Sequence, residues 1–312
     1  MLKINDKGAE VITAKAMLHT VMGIDAEMSD VFTQAMQQLV RKFQKENGLS
    51  ADGIIGEKTF TVLARQFSDI TFLQKPLSQV PEKTTNSYTL ERVICDIYTD
   101  FQKQNSYSGC LMRNDAAAAL ENVKKELNSY GCILATSGGL RDLYEKVSVG
   151  RSATSLHYTG IAFDLYLGAG MINTTIDPYV VQRVVKDNRT SYIVWARCSS
   201  QKATSHIPHA FVPENIVTYA SRIKAVKCED DHFVNLTEIF NKYGFSNIKA
   251  HTSFEKGGSM TGSEWWHFQF DKQLVKGVST FGDELHKIYT QKQLQNTPPY
   301  QFKDKVWGVD WN

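Results

Sequence analysis

Residues 155–167 read SLHYTGIAFDLYL, and this stretch decides the architecture of the larger part of the chain. Gly160 permits a turn, after which Ile161, Phe163, Leu165 and Leu167 alternate as the apolar face of a strand, leaving Ala162, Asp164 and Tyr166 on the other face. The turn lets His157 return toward the Asp164 face. A carboxylate among aliphatic and aromatic residues is costly unless it is paired or binds a metal, so Asp164 is either half of a structural salt bridge or a ligand. A second run, EWWHFQF at 264–270, repeats the strand pattern, with Trp266, Phe268 and Phe270 on one face and Trp265, His267 and Gln269 on the other. Strict alternation puts Glu264 opposite His267, so Glu264 has to sit on a bend, for which Gly262-Ser263 supplies suitable residues. Taken alone, His267 is equally a core histidine with a satisfied hydrogen bond.

Around these runs the chain reads as α+β. Helical stretches are expected around 89–104 and 114–129, and short β-like runs at 131–136, 161–167 and 265–270. The run Cys132-Ile133-Leu134-Ala135 leads into Ser137-Gly138-Gly139-Leu140-Arg141, which sets Arg141 on a glycine-rich turn. Residues 168–228 are long for a connection between the two motifs and read as an insertion that shapes the cleft. Within it, Pro208 argues against a helical pair of His206 and His209, so both read as loop residues, with a second metal site as the alternative. His19, His232, His251 and His286 have no partner pattern and read as structural or surface residues. Residues 296–312 read as an irregular tail whose Trp307 and Trp311 pack onto the body.

The N-terminal part has a different texture. Val11, Ala14, Leu18 and Val21 recur at helical spacing, as do Phe32, Ala35, Met36, Leu39 and Phe43, and a short third helix comes next through Thr59, Val62 and Leu63. Ser29 and Asp30 are placed to cap the second helix, and Asn47-Gly48 to stop it. Residues 68–88, with their prolines and Ser/Thr and no sustained period, have a linker's composition. The expected layout is a helical domain over 1–67, a linker over 68–88 and a second domain over 89–312.

Bulk properties narrow the function. A net charge of +2 over 312 residues, without a dense Lys/Arg run, argues against nucleic acid as partner. No segment reaches the roughly 18 apolar residues of a membrane span, and the opening residues lack the apolar core of an export signal. Five scattered cysteines, none in CxxC spacing, favour buried thiols over a disulfide framework or a cysteine zinc site. Nothing in the sequence fixes the oligomeric state, and a monomer is the default expectation.

Two histidines and an aspartate form a legitimate catalytic zinc set with a position left for water. A carboxylate that is not a ligand, here Glu264, can take that water's proton, and Arg141 can stabilise the oxyanion, though Arg141 is otherwise an ordinary surface arginine.

Two stretches carry family resemblances. LVRKFQKENGLSADGIIGEKTFTVL at 39–63 resembles the peptidoglycan-binding domain of many cell-wall hydrolases through its FQ...GL..DG..G..T...L pattern. In that pattern Gly48, Gly53 and Gly56 are read as taking turn geometries, with Phe43, Leu49 and Leu63 closing the core. SxHxxGxAxD at 155–164, with a glutamate three residues before a histidine at 264–267, resembles the D-alanyl-D-alanine carboxypeptidase and dipeptidase group of zinc peptidases, which includes L-alanyl-D-glutamate endopeptidases of phages and bacteria. The resemblance implies an α+β peptidase domain with a central, mainly antiparallel sheet flanked by helices. It also implies Zn2+ held by His157, Asp164 and His267, Glu264 as base and then acid, Arg141 as oxyanion stabiliser and Ser155 as an orienting residue. EWWHF looks closest to the dipeptidases. A wall-binding module suits a polymeric substrate, so the favoured expectation is an endolysin-like peptidoglycan peptidase that reaches the wall after release from a host cytoplasm, or within a virion. A D-Ala-D-Ala dipeptidase or carboxypeptidase is the alternative, and an inert wall-binding or virion structural protein is the alternative of another class.

Overall fold

The computed structural model describes residues 1–24, 29–72, 88–104, 109–145, 152–186, 189–199, 203, 213–226 and 232–297. An N-terminal set of three helices is followed by a mixed α+β region with antiparallel sheets. Two compact units interleave along the chain. One draws on Met1–Leu73, Tyr166–Leu236 and Ile248–Trp265, the other on Gln74–Leu165, Thr237–Asn247 and Trp266–Asn312.

In the first unit the helices are Ala9–Met22, Gln34–Glu46 and Glu57–Phe72. Val11, Ala14, Met17 and Leu18 of the first helix are buried, as are Met36, Val40 and Phe43 of the second. The second helix is capped by Thr33, whose hydroxyl accepts from the Met36 N–H, and not by Ser29 or Asp30. Those two lie too far upstream to reach the free N–H groups of a first turn that starts at Gln34. The third helix is much longer than the sequence suggests, because Leu63, Ala64, Phe67 and Ser68 carry its buried face past residue 67. Gly53 adopts a φ of 77°, and a Cβ there would fall 2.6 Å from the Gln37 Cγ. Gly56 meets no such constraint: it is not among the positive-φ glycines and has open space around it, contrary to the sequence reading.

The stretch read as an insertion folds into a sheet of its own. Strands Tyr179–Lys186, Arg189–Arg197, Ile216–Thr218, Ser221–Val226 and Phe233–Asn235 form an antiparallel sheet, ordered Ser221–Val226, Ile216–Thr218, Tyr179–Lys186, Arg189–Arg197, Phe233–Asn235. Val180, Trp195, Ile216 and Phe233 pack into its core. Strict alternation is broken in YVVQRVVK by paired valines, which hides a strand from a period-two reading although the composition favours one. This sheet unit is fastened to the three helices. Arg65 Nη2 lies 3.0 Å from Asp177 Oδ1, the Tyr166 hydroxyl donates to Asp69, and the Arg222 guanidinium donates to the Thr13 hydroxyl.

In the second unit, strands Ser246–Asn247, His267–Gln269, Ala162–Leu165 and Thr136–Gly138 form an antiparallel sheet in that order. Helix Asn114–Ser129 matches its expected position and buries Ala116, Leu120, Val123 and Leu127. The stretch 89–104, expected to be helical throughout, begins as strand Leu90–Val93 paired with Cys110–Arg113 and contains only the short helix Asp100–Gln104. Pairing with a distant strand overrides local propensity there. Phe163, Phe240, Phe245 and Phe268 form an aromatic cluster, with the Phe240 and Phe268 ring centroids 4.2 Å apart. Arg113 is buried and neutralised by Asp115 at 2.7 Å and Glu284 at 2.6 Å.

Cys95, Cys110 and Cys132 are buried free thiols, Cys198 is partly exposed, and no helix among the described residues is long and apolar enough to cross a membrane. Cys228, His206, His209, Trp307 and Trp311 lie outside the described residues.

Candidate metal centre

Strand register brings the two motifs together in the second unit. His267 and Asp164 are direct cross-strand partners, as are Phe268 and Phe163. The strand is buried on both faces and not on one: Ile161, Ala162, Phe163 and Leu165 are fully buried, and Asp164 alone keeps partial exposure, 16% of its side chain. Gly160, with a φ of 71°, closes the turn that precedes the strand. His157 lies in that turn.

His157 Nε2 stands 3.2 Å from Asp164 Oδ1 and 3.2 Å from His267 Nδ1, and His267 Nδ1 stands 3.0 Å from Asp164 Oδ1. The two imidazoles meet edge-on, centroids 5.0 Å apart. On its other side, His157 Nδ1 lies 2.6 Å from the Gly139 carbonyl oxygen. A carbonyl only accepts, so Nδ1 carries the proton and a neutral His157 turns the lone pair of Nε2 toward its neighbours. Nε2 then faces a carboxylate oxygen, another acceptor. Burial holds His157 below its ordinary protonation range; Asp164 opposes this, while Arg141 and His267 reinforce it. Burial alone would raise the Asp164 carboxyl, but positive charge on the two histidines, when they carry it, outweighs burial and holds the group below the usual carboxylate range. Three converging lone pairs, one anionic, suit a cation: His157, Asp164 and His267 form a group able to hold a metal ion.

Arg141 belongs to the same unit. Its N–H donates to the His157 carbonyl at 3.1 Å, and its guanidinium carbon stands 5.4 Å from the centroid of the buried Tyr158 ring. Nη1 of Arg141 is buried and has no hydrogen-bond partner among the described residues. Arg141 Nε already has Glu145 Oε2 at 4.0 Å, but the buried Nη1 N–H lacks an acceptor among the described residues, which is expensive and leaves that one donor suited to an anionic partner. Ser155 sits two residues before His157, where its carbonyl accepts from the Tyr158 N–H at 3.0 Å and helps close the turn.

Glu264 belongs to the first unit. It ends the short helical turn Met260–Ser263 in a left-handed conformation, φ 53° and ψ 16°, so the backbone does bend immediately before the strand that starts at His267. Its carboxylate lies 3.2 Å from His251 Nε2. No motif spacing links His251 to Glu264 in the sequence, where it reads as a structural or surface residue; the contact depends on a loop closing between them.

Residues 7–63 match a family model described as a putative peptidoglycan binding domain. Comparison of the chain with curated proteins and with solved structures gives no match. The N-terminal helices thus form a domain of the peptidoglycan-binding class, which supports association of the chain with bacterial cell wall.

Within that domain, Gln44 shows what the FQ of the motif does. The two N–H donors of its buried amide are shared among three acceptors, Asp52 Oδ1 at 2.8 Å, the Ile54 carbonyl at 2.9 Å and the Thr59 hydroxyl at 3.1 Å, and its carbonyl accepts from the Gly53 N–H at 2.8 Å. One side chain thereby ties the second helix, the DG turn and the start of the third helix.

Proposed function

We propose that this protein is a zinc-dependent peptidase that hydrolyses an amide bond in the peptide part of peptidoglycan, held at its substrate by the N-terminal domain. The observation that carries this reading is the buried convergence of His157 Nε2, His267 Nδ1 and Asp164 Oδ1 within 3.2 Å of one another. Zinc held by these three residues would polarise a substrate carbonyl and lower the pKa of water. Gly139 keeps the proton on His157 Nδ1 and thus fixes the ring as a ligand. Glu264, in this reading, takes a proton on its carboxylate from the attacking water and returns it to the leaving amine. Arg141, whose Nη1 has no protein acceptor among the described residues, would receive the oxyanion.

A polymeric wall substrate is favoured over a free dipeptide because the peptidoglycan-binding domain raises local substrate concentration only for a target that carries both sites. The protein would act on the wall after leaving the cell that makes it, or as part of a virion. Metal analysis and digestion of purified sacculi test the proposal together. Wild type is expected to carry zinc and to create new amino termini within stem peptides, Glu264→Ala to keep zinc but lose turnover, and His267→Ala to lose both. Release of D-Ala alone would move the assignment to a D-Ala-D-Ala carboxypeptidase or dipeptidase, the reading that EWWHF favours. Full activity of Glu264→Ala would overturn the assigned mechanism.

A further inference from the structure

The loop 248–265 is closed on itself. The His251 N–H donates to the Gly262 carbonyl at 2.8 Å, the Phe254 N–H donates to the His251 carbonyl at 3.0 Å, and the Gly258 N–H donates to the Ser253 carbonyl at 2.8 Å. The two arms are in close contact: a Cβ on Gly262 would come 3.4 Å from the Cβ of His251 and 3.4 Å from that of Phe254. Glu264 leaves this loop with a φ of 53°, an arrangement that non-glycine residues hold only when their surroundings impose it. The backbone hydrogen bond between His251 and Gly262 ties down the arm that leads into Glu264. The side-chain contact of His251 Nε2 with Glu264 Oε1 at 3.2 Å adds a second restraint, on the carboxylate itself.

We propose that His251 is a positioning residue for Glu264: its imidazole fixes the rotamer of the carboxylate that acts as base. The inference rests on the peptidase reading given above and deepens it. The asymmetry of exposure supports a positioning role over a packing one. The His251 side chain is 63% exposed and that of Glu264 only 19%, so the imidazole reaches in from solvent and its removal opens no cavity. A carboxylate with several accessible rotamers spends only part of its time within reach of the proton it must take, and an oriented one avoids that loss.

The test uses the full chain with His251→Ala and His251→Gln, zinc content measured on each, and kcat and KM determined on a soluble peptidoglycan stem peptide. His251→Ala is expected to lower kcat about tenfold, in the range seen when an orienting partner of a site residue is removed, with KM and zinc content unchanged. His251→Gln, which retains an N–H donor, is expected to recover most of the loss. In parallel, the imidazole Cε1–Hε1 resonance of His251 is expected to shift in Glu264→Gln at constant pH. An active wild type whose kcat is insensitive to His251→Ala overturns the inference, as does a His251 resonance that does not respond to Glu264→Gln. A wild type that binds zinc and cleaves nothing overturns the peptidase reading instead, and the resonance still decides whether the two side chains are paired.

Discussion

Gly139 serves two neighbours at once. A Cβ on it would fall 2.4 Å from the Leu111 carbonyl oxygen, while its own carbonyl holds His157 Nδ1 at 2.6 Å. Backbone cannot yield as a flexible side chain can, so Gly139→Ala has to displace either the strand Cys110–Arg113 or the segment that carries the histidine anchor. The expected cost is about 1–3 kcal/mol of stability, as for other overpacked positions. Zinc affinity is expected to fall by about tenfold or more, because the anchor selects the tautomer and the ring orientation. Thermal denaturation with and without chelator, together with a zinc titration, checks both. Gln44 gives a second case at this scale. Gln44→Leu keeps the volume but leaves the buried Gly53 N–H without its partner, while the Ile54 carbonyl keeps the Gly56 N–H, and a loss of about 1–3 kcal/mol for the one unsatisfied group is expected in thermal melts. The residues of the candidate metal centre, His157, Asp164 and His267, are legible in the sequence because their polar side chains stand out from apolar and aromatic neighbours. The contacts around them are not, since Gly139 meets His157 through a carbonyl that every residue has, and His251 meets Glu264 only through a loop closure.

Helices and strands are legible where one face alone decides them and obscure where partners do. Helix Asn114–Ser129 can be read from its own periodicity, as can the turn at Gly160. Strand Leu90–Val93 cannot, because its pairing with Cys110–Arg113 is a long-range choice, and strand Tyr179–Lys186 cannot, because its paired valines break the alternation. The third helix, Glu57–Phe72, is extended by contacts made with residues far along the chain: Arg65 and Asp69 near its end meet Asp177 and Tyr166. Asp177 is deeply buried, and that burial outweighs Arg65 and the Ile172 and Asn173 N–H donors, pushing its carboxyl up to about 6 from an ordinary 3.8. Between those values the folded chain holds a proton that the unfolded chain has lost. The stabilisation from this proton is therefore complete below about 3.8 and disappears as pH rises through about 6. Wild type is expected to gain stability relative to Asp177→Asn as pH falls from 7 to 4, by an amount on the order of 3 kcal/mol at most. Asp69, which burial also pushes to about 6, is present in both proteins and largely cancels in the difference. Denaturant melts of the pair across that range give the result, and a difference independent of pH would show that Asp177 remains ionised throughout.

At the scale of the whole chain, a wall-binding module on a linker would be separable from the residues C-terminal to it, and the first unit argues otherwise. It joins residues before the linker-like stretch to residues 166–236 through Arg65 with Asp177, Glu57 with Asn173, and Thr13 with Arg222. Removing residues 1–87 would take from Asp177 the Arg65 guanidinium 3.0 Å away, and loss of one side of a partly buried ion pair is destabilising. Apolar surface that the helices cover would be exposed as well. A chain of residues 88–312 is therefore expected to melt several degrees below the full chain, in line with the usual conversion of such a loss into a midpoint shift. Calorimetry of the two proteins checks this, and equal midpoints for the shared transition would establish a free module. Zinc content is expected to survive the truncation, because His157, Asp164, His267 and the Gly139 anchor all lie in the second unit. Lower stability with retained zinc is thus the signature of a binding domain built into the fold of the first unit, and it separates the contribution of these helices to folding from the contribution of residues 7–63 to holding the wall.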